Sequence, residues 1–241
     1  MPRIALITGG NRGLGRATAQ ALIDTGIEVI YTHRGDPGEK IDAVALPLNV
    51  GDLGSYAGFE TELRGVLADR FGRTDFDYLI NNAGVGHAGK IADTSVEAFD
   101  EMLDVHFRGV FFLTQRLLPL IADGGRIVNL STGLARFTGE GVYAAYASMK
   151  GAVEVFTRYL AKEVGPRGIT ANVVAPGPAA TDFGGGALRD NEQVRAHIGG
   201  VTALGRVGEP EEIAGVIAAM LGPGTGWVTG QRIEASGGML L

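Results

Sequence analysis

The feature that most constrains the fold is a glycine-rich segment, TGGNRGLG, at residues 8–15. It follows a short apolar run and opens a helical pattern, so it predicts a strand, a tight turn and a helix. Gly9 lets the chain reverse, Gly13 lets the backbone approach an anion, and Gly15 lets the helix pack closely on the strand. The unpaired N–H groups of such a helix favour a phosphate. The alternative is a plain glycine turn, since three glycines alone are a weak signal.

Apolar runs of strand length alternate with helical patterns along the chain. Predicted strands cover residues 4–8, 28–32, 44–48, 76–80, 125–130, 170–174 and 231–234, and predicted helices cover 14–24, 56–71, 99–121, 143–164 and 210–221. This alternation is typical of a parallel sheet covered by helices on both faces. We therefore predict one doubly wound α/β domain over residues 1–241.

Two stretches interrupt the alternation. Residues 32–44 leave no room for a crossover helix and contain the turn sequence GDPG at 35–38. Residues 183–206 begin with phenylalanine and three glycines, after a strand end where open α/β sheets place ligands. We interpret 183–206 as a mobile substrate lid, and the alternative is a passive surface excursion.

Composition excludes several classes of function. Apolar residues make up 45% of the 241 residues, the net charge is −6 and cysteine is absent. These values argue against disorder, disulfides and thiol catalysis, and without a basic block we expect no nucleic-acid partner. No apolar run is long enough for a bilayer and no signal peptide is evident, so we expect a cytoplasmic protein without a membrane partner. We predict no metal site.

Tyr146 and Lys150 lie four positions apart in a predicted helix, so the phenol and the ammonium share one face. A phenol has an ordinary pKa of ~10, which a fixed cation lowers. Reaching ~7 takes about 4 kcal/mol, at ~1.36 kcal/mol per unit. The alternative is an amphipathic pair with a half-buried tyrosine and a solvated lysine.

Four motifs stand together in one order: TGGNRGLG at 8–15, NNAG at 81–84, YASMK at 146–150, and Pro176-Gly177 followed by Thr181. With these motifs the chain resembles the short-chain dehydrogenase/reductase family from about residue 4 to residue 238, and is similar to its 3-oxoacyl-[acyl-carrier-protein] reductases. The resemblance implies a Rossmann-like sheet with strand order 3-2-1-4-5-6-7. It also implies that Tyr146 is the general acid/base of an NAD(P)-dependent carbonyl/alcohol reaction, while Lys150 lowers the tyrosine pKa and holds the nicotinamide ribose.

The resemblance also implies which residues bind the cofactor. The segment 82–84 would brace the fourth strand and line the cofactor, and Thr181 would meet the carboxamide or the phosphates. The full predicted set is Gly9, Asn11, Arg12, Gly13, Leu14, Gly15, His33, Arg34, Asn49, Val50, Asn82, Ala83, Gly84, Tyr146, Lys150, Pro176, Gly177 and Thr181.

The chain departs from the family pattern at three places. Thr132 falls on the position of the catalytic serine and Ser131 precedes it, so either hydroxyl is a candidate to bind the substrate oxygen. His106 replaces a helix asparagine; it could hold a proton-relay water, partly through its carbonyl, or be a packed structural histidine. Asn49 replaces the aspartate near adenine, where Asn49 and Val50 can still line the base.

The end of the second strand predicts a preference for NADPH over NADH, although NAD remains possible. An acidic residue there would bind the free ribose hydroxyls, but this strand ends in Thr32, His33 and Arg34. Arg34 can pair with a 2′-phosphate, His33 can add a donor, and Arg12 is a second candidate cation. Asp36 is the counter-signal, and the alternative is that both arginines are solvated.

We therefore expect a reductase of a small carbonyl/alcohol substrate. The alternative is a non-catalytic nucleotide-binding scaffold or regulator. Apolar walls for the substrate are predicted from Leu134, Phe137, Tyr143 and Phe183. Apolar residues on several faces of helices 104–120 and 143–164, and the apolar end 239–241, predict a homo-oligomer, a dimer or tetramer.

Overall fold

Strands of the sheet pair in parallel in the order β3-β2-β1-β4-β5-β6-β7, in a computed structural model that describes residues 2–241. They are β1 (Ile4–Ile7), β2 (Glu28–His33), β3 (Val44–Pro47), β4 (Phe76–Asn81), β5 (Ile121–Leu130), β6 (Thr170–Pro176) and β7 (Arg232–Ala235). This order confirms the doubly wound, Rossmann-like fold that the sequence predicts.

Helices cover both faces of the sheet. They are α1 (Gly13–Asp24), α2 (Tyr56–Phe71), α3 (Val96–Leu103), α4 (Gly109–Leu117), α5 (Ala144–Val164), α6 (Ala187–Asp190), α7 (Glu192–Gly200) and α8 (Pro210–Leu221). Leu67 of α2, Leu117 of α4 and Leu160 of α5 belong to one buried cluster. Leu22 of α1 and Ile217 of α8 belong to another on the opposite face. The central strands are therefore buried from both sides, which is why they read as unbroken apolar runs.

The prediction of a single helix over residues 99–121 is wrong, because this stretch contains several separate elements. α3 ends at Leu103, a π-helical turn spans Asp104–Arg108, and α4 follows. β5 then begins at Ile121, four residues earlier than predicted. Apolar spacing continues through the π turn, so the pattern could not locate the break; π turns of this kind occur often at functional sites.

The stretch 183–206 is not one long loop. It contains α6 and α7, and Asn191 caps α7 because its side chain accepts from the N–H groups of Gln193 and Val194. The three glycines at 184–186 all have positive φ, which places a sharp turn before these helices. Mobility of this segment stays a prediction. The stretch 34–43 carries no helix, as expected from its length.

Parallel pairing brings the carboxyl ends of four strands to one edge. β1 lies between β2 and β4, so the glycine turn after β1 sits where the strand order reverses. The segments after β4, β5 and β6 end at the same edge, and they carry residues 82–84, 131–132 and 177–181. The glycine turn and these three predicted segments therefore lie together at one edge of the sheet and border one cleft.

Candidate functional site

The glycine turn forms a cradle that fits a diphosphate. Gly9 and Gly13 have φ of +66° and +52°, and a Cβ on Gly10 would overlap Tyr31. The side chain of Arg12, which precedes α1, makes no capping hydrogen bond to the helix. A Cβ on Gly13 would lie 3.6 Å from the Thr181 Cβ, so Thr181 faces the turn across the cleft. Backbone donors, missing side chains and a facing hydroxyl suit the phosphates of a dinucleotide.

Asn82 ties the end of β4 to the glycine turn. Its side-chain amide donates to the carbonyl oxygens of Thr8 at 2.9 Å and Gly9 at 3.0 Å. In return, the Thr8 hydroxyl accepts from the backbone N–H groups of Asn82 and Ala83, each at 3.0 Å. These hydrogen bonds are contacts of the kind expected for a segment that braces the fourth strand.

Tyr146 and Lys150 are both buried on α5 at the end of β5. Lys150 Nζ donates to the Leu130 carbonyl at 2.8 Å and lies 5.9 Å from the centre of the Tyr146 ring. Burial lowers the pKa of Lys150 to about 8. Burial raises the pKa of Tyr146 to about 12, although a polar contact from the Thr132 hydroxyl lowers it. In the chain alone, the tyrosine pKa therefore lies above its ordinary value, in contrast to the lowering that Lys150 was expected to cause.

The two hydroxyls that end β5 point to different neighbours. Ser131 Oγ donates to Glu154 Oε1 at 2.6 Å, which engages it away from the cleft. Thr132 Oγ1 accepts from the Leu134 N–H at 3.3 Å, and the Thr132 side chain lowers the pKa of Tyr146. The hydroxyl proton of Thr132 is therefore left to donate into the cleft.

His106 lies inside the π turn and is fully buried. Its Nε2 lies 2.7 Å from the Val85 carbonyl, and the Val85 N–H also points at it, at 3.3 Å. The shorter contact assigns the ring proton to Nε2, and Nδ1 has no partner among the described residues. The ring stands edge-on to Tyr146 with centres 5.0 Å apart. Burial, aided by the Lys150 charge, lowers the pKa of His106 to about 3, so the ring is neutral near neutral pH.

The far end of the cleft carries the cations proposed for the 2′-phosphate, and carboxylates already face both. Arg12 pairs with Asp182 at 2.5 Å, and Arg34 Nη1 lies 4.0 Å from Glu101 Oε1. His33 ends β2, and its buried Nδ1 lacks a partner within the described part of the chain. The Asp36 carboxylate accepts from the Gly38 N–H at 2.9 Å, so it is engaged within its own turn.

Other predicted cofactor residues have mainly backbone contacts. The Asn11 amide donates to the Asp36 carbonyl at 3.0 Å, and the exposed Asn49 accepts from the Gly51 N–H at 3.2 Å. Val50 is buried, and its carbonyl accepts from the Tyr56 hydroxyl at 2.6 Å. Four more predicted positions lie near these contacts: Leu14 at the start of α1, Gly84 against His106, Pro176 at the end of β6, and Gly177 directly after it.

Aromatic side chains lie beside the Tyr146 ring. The ring of Phe183 lies 6.0 Å from that of Tyr146, and the ring of Tyr143 lies 6.5 Å away. Leu134 packs against the same cluster. Phe137 instead lies against Gly133, so the structure joins three of the four predicted wall residues at Tyr146.

Several residues at the site were missed by the sequence analysis. Asp182 and Glu101 face the two arginines, while Glu154 and Arg232 contact the end of β5. None belongs to a motif, and Arg232 lies 100 positions from Thr132, so no local pattern joins them. In residues 2–241 no group of three or more His, Cys, Asp or Glu side chains is arranged to hold a metal ion. No helix in that range has the length and apolar character needed to span a membrane.

The depressed pKa of His106 predicts a stability difference. The folded-state pKa is about 3 and the ordinary value is 6.5, so between these pH values the unfolded chain binds more protons and stability rises with pH. When the pH falls from about 7.5 to about 5, this residue alone should lower the free energy of unfolding by about 2 kcal/mol. His106→Asn should remove that share of the pH dependence in urea unfolding, and His197→Asn, at an exposed position of α7, should not. Equal pH dependence in wild type and His106→Asn would contradict the assignment.

Comparison with known proteins agrees with this geometry. The family model described as Enoyl-(Acyl carrier protein) reductase matches residues 9–240. Identity is 34% to the 3-oxoacyl-[acyl-carrier-protein] reductase of Synechocystis sp., covering 99% of this chain and 97% of that protein. It is 32% to versicolorin reductase 1 of Aspergillus parasiticus, covering 98% and 95%. The structure of the angucycline C-6 ketoreductase LanV with bound NADP matches at 35% identity and a TM-score of 0.90, over 99% of this chain and 95% of that one. The chain therefore belongs to the short-chain dehydrogenase/reductase family.

Proposed function

We propose that this family member reduces a ketone to a secondary alcohol with NADPH, and that Tyr146 donates the proton. The observation that carries the proposal is the cluster of Tyr146, Lys150 and the Thr132 hydroxyl, beside the cleft that the glycine turn opens. LanV, a ketoreductase by name, was solved with NADP, which supports the same cofactor here.

The proposed reaction balances with one hydride and one proton. The glycine turn and Thr181 would hold NADPH, which would supply the hydride that the carbonyl carbon accepts. The carbonyl π pair moves to oxygen, and that oxygen takes the proton of the Tyr146 hydroxyl. The Thr132 hydroxyl donates a hydrogen bond to the developing negative charge, an effect for which a single donor contributes about 10²–10³ in rate.

Tyr146 starts in the protonated form that reduction uses, although a pKa near the operating pH would make it a better acid. A phenol with a pKa of about 12 stays protonated at neutral pH, so it is ready to act as an acid. Oxidation would need the phenolate, and lowering the pKa from about 12 to ~7 takes about 7 kcal/mol at ~1.36 kcal/mol per unit. Lys150 is already in place in the chain alone, so positive charge from the oxidised cofactor would have to supply part of that free energy.

We assign His106 a positioning role in this reaction, alongside the relay that its place in the chain suggests. The neutral ring holds Val85 through Nε2 and packs on the edge of Tyr146. A ring with a pKa of about 3 does not exchange protons near neutral pH, so any relay would use its free Nδ1 lone pair or its carbonyl to orient water.

We further propose that the cofactor is NADPH rather than NADH. β2 ends in His33, followed by Arg34, and the nearby Asp36 carboxylate is turned into its own loop. Arg34 and Arg12 are the cations available for a 2′-phosphate. Because Glu101 and Asp182 face them in the chain alone, binding would exchange these carboxylates for the phosphate.

The substrate class that fits the cleft is a largely apolar ketone. Tyr143, Phe183 and Leu134 provide the walls near the proton donor. One relative is named a 3-oxoacyl-[acyl-carrier-protein] reductase and another an angucycline C-6 ketoreductase, so their names agree on a carbonyl group and differ in the molecule that carries it.

We also propose a homo-oligomer. Phe111 and Phe112 on α4, and Val155 and Tyr159 on α5, are large apolar side chains exposed on neighbouring helices. At the chain end Leu241 is exposed while Met239 is buried, so only part of the apolar tail folds back on its own subunit. A second copy would bury the helix face.

Tyr146→Phe should abolish NADPH oxidation on a panel of ketones and β-ketoesters while leaving NADPH affinity nearly unchanged. The substitution removes the proton donor and keeps the ring that packs on His106 and Phe183. Stopped assays measure kcat, and cofactor fluorescence measures binding. Retention of more than a few per cent of the activity would refute Tyr146 as the acid, whereas NADPH binding without turnover in wild type would favour a non-catalytic scaffold.

Wild type should have a higher kcat/KM with NADPH than with NADH, and Arg34→Asp should reverse the ratio. The new carboxylate would repel the 2′-phosphate and bind the free ribose hydroxyls instead. The matched control is Arg64→Asp, an exposed arginine that pairs with Glu60 within α2. A wild-type preference for NADH, or a ratio that Arg34→Asp leaves unchanged, would show that the phosphate does not bind here.

A further inference from the structure

A network of charged side chains holds the end of β5 from behind the cleft. Arg232, on β7, donates through Nη2 to the Thr132 carbonyl at 3.1 Å and through Nε to Glu154 Oε1 at 2.7 Å. The same Glu154 oxygen accepts from the Ser131 hydroxyl at 2.6 Å. Lys150 Nζ holds the Leu130 carbonyl at 2.8 Å. Three successive residues at the end of the strand are therefore each anchored by a charged side chain.

The network continues outward and its charges alternate. Arg232 Nη1 donates to Glu234 Oε2 at 2.9 Å, and Arg136 donates to both oxygens of Glu234, at 2.7 and 2.9 Å. Burial lowers the pKa of Arg232, but hydrogen bonds to the two carboxylates more than offset this and raise it above its ordinary value. Arg232 therefore remains charged, and its forked guanidinium satisfies three acceptors at once.

Thr132 is held at both ends by this arrangement. Its backbone is extended, with φ of −157° and ψ of 152°. Its carbonyl accepts from Arg232, and its Oγ1 accepts from the Leu134 N–H. These two hydrogen bonds restrict the carbonyl and the hydroxyl oxygen of Thr132, and neither of them uses the proton of its hydroxyl. Reaction rates fall steeply when such a group moves by about 1 Å, up to about 10²-fold.

We propose that Arg232, anchored by Glu154, is a positioning residue that fixes the Thr132 hydroxyl for proton and hydride transfer. This inference rests on the proposed reductase function. Arg232 touches neither substrate nor cofactor and acts only through Thr132. Glu154 has two parts in the arrangement, since it orients the guanidinium and also draws the Ser131 hydroxyl away from the cleft.

Arg232→Met should lower kcat by about tenfold or more and leave KM for NADPH within about twofold. Arg232→Lys should recover only part of kcat, because an ammonium lacks the planar fork that serves Glu154, Glu234 and Thr132 together. Glu154→Gln, a milder change, should lower kcat in the same direction and serves if Arg232→Met folds poorly.

The matched control is Arg73→Met. Arg73 also joins two carboxylates, Asp75 and Asp77, but at the opposite edge of the sheet. Arg73→Met should lower the free energy of unfolding and change kcat by no more than about twofold. This control separates the loss of an ion pair from the loss of positioning. In the Thr132→Ala background, Arg232→Met should cost less than about twofold in kcat, since no hydroxyl remains to be placed.

A second readout does not need turnover. The methyl NMR signal of Thr132, assigned by its loss in Thr132→Ser, should shift or broaden in Arg232→Met and stay unchanged in Arg73→Met. Three results would each overturn the inference. The first is an unchanged methyl signal in Arg232→Met, and the second is a wild-type kcat in that variant. The third is that Arg232→Met lowers kcat as much in the Thr132→Ala background as in wild type. Absence of all ketone reduction by wild type, with the methyl signal shifted in Arg232→Met, would refute the reductase function while the positioning contact stands.

Discussion

The burial of Tyr146 and Lys150 together is the constraint on which the rest of the site depends. Removing a phenol and an ammonium from water disfavours the charged form of each, which raises the pKa of Tyr146 to about 12 and lowers that of Lys150 to about 8. The Lys150 ammonium donates to the Leu130 carbonyl at the end of β5, which offsets part of the cost of its burial. The position of α5 on the sheet is thereby coupled to the chemistry of the cleft.

Parallel strand order supplies the remaining groups. Because β1, β4, β5 and β6 end at one edge, the glycine turn, Asn82, Thr132 and Thr181 come from distant parts of the chain and still meet. Each is fixed by backbone contacts rather than by packing alone: Asn82 on the Gly9 carbonyl, and Thr132 on Leu134 and Arg232. A cleft built this way is organised before any ligand enters, which is the arrangement that electrostatic catalysis requires.

Much of the fold was predictable because strand and helix periods differ so clearly. Fully buried strands such as β1 are short apolar runs, and Gly15 marks the close packing of α1 on the sheet. The π turn at His106 was not predictable, because apolar residues are frequent on both sides of it and no turn residue or polar gap marks the extra residue. The sequence did not predict the helices within 183–206, because three glycines precede them and their surface is polar.

The site was predictable where chemistry imposes spacing, as in Tyr146 and Lys150 one helical turn apart. It was not predictable where partners are joined only by the fold. Asp182 opposite Arg12, and Glu154 with Arg232 behind Thr132, are contacts between residues that share no motif. Pattern analysis counts the nearby lysine and cannot weigh the desolvation of the phenol, which raises the Tyr146 pKa in the chain alone.

The central claim is that Tyr146 is a buried acid whose pKa is high in the chain alone and is lowered by the positive charge of the bound oxidised cofactor. Ultraviolet titration of tyrosinate, taken as the difference between wild type and Tyr146→Phe, measures this pKa directly. The account predicts a pKa of about 12 for the chain alone and a value lower by several units in the presence of saturating NADP⁺. A pKa that NADP⁺ leaves unchanged would contradict the account.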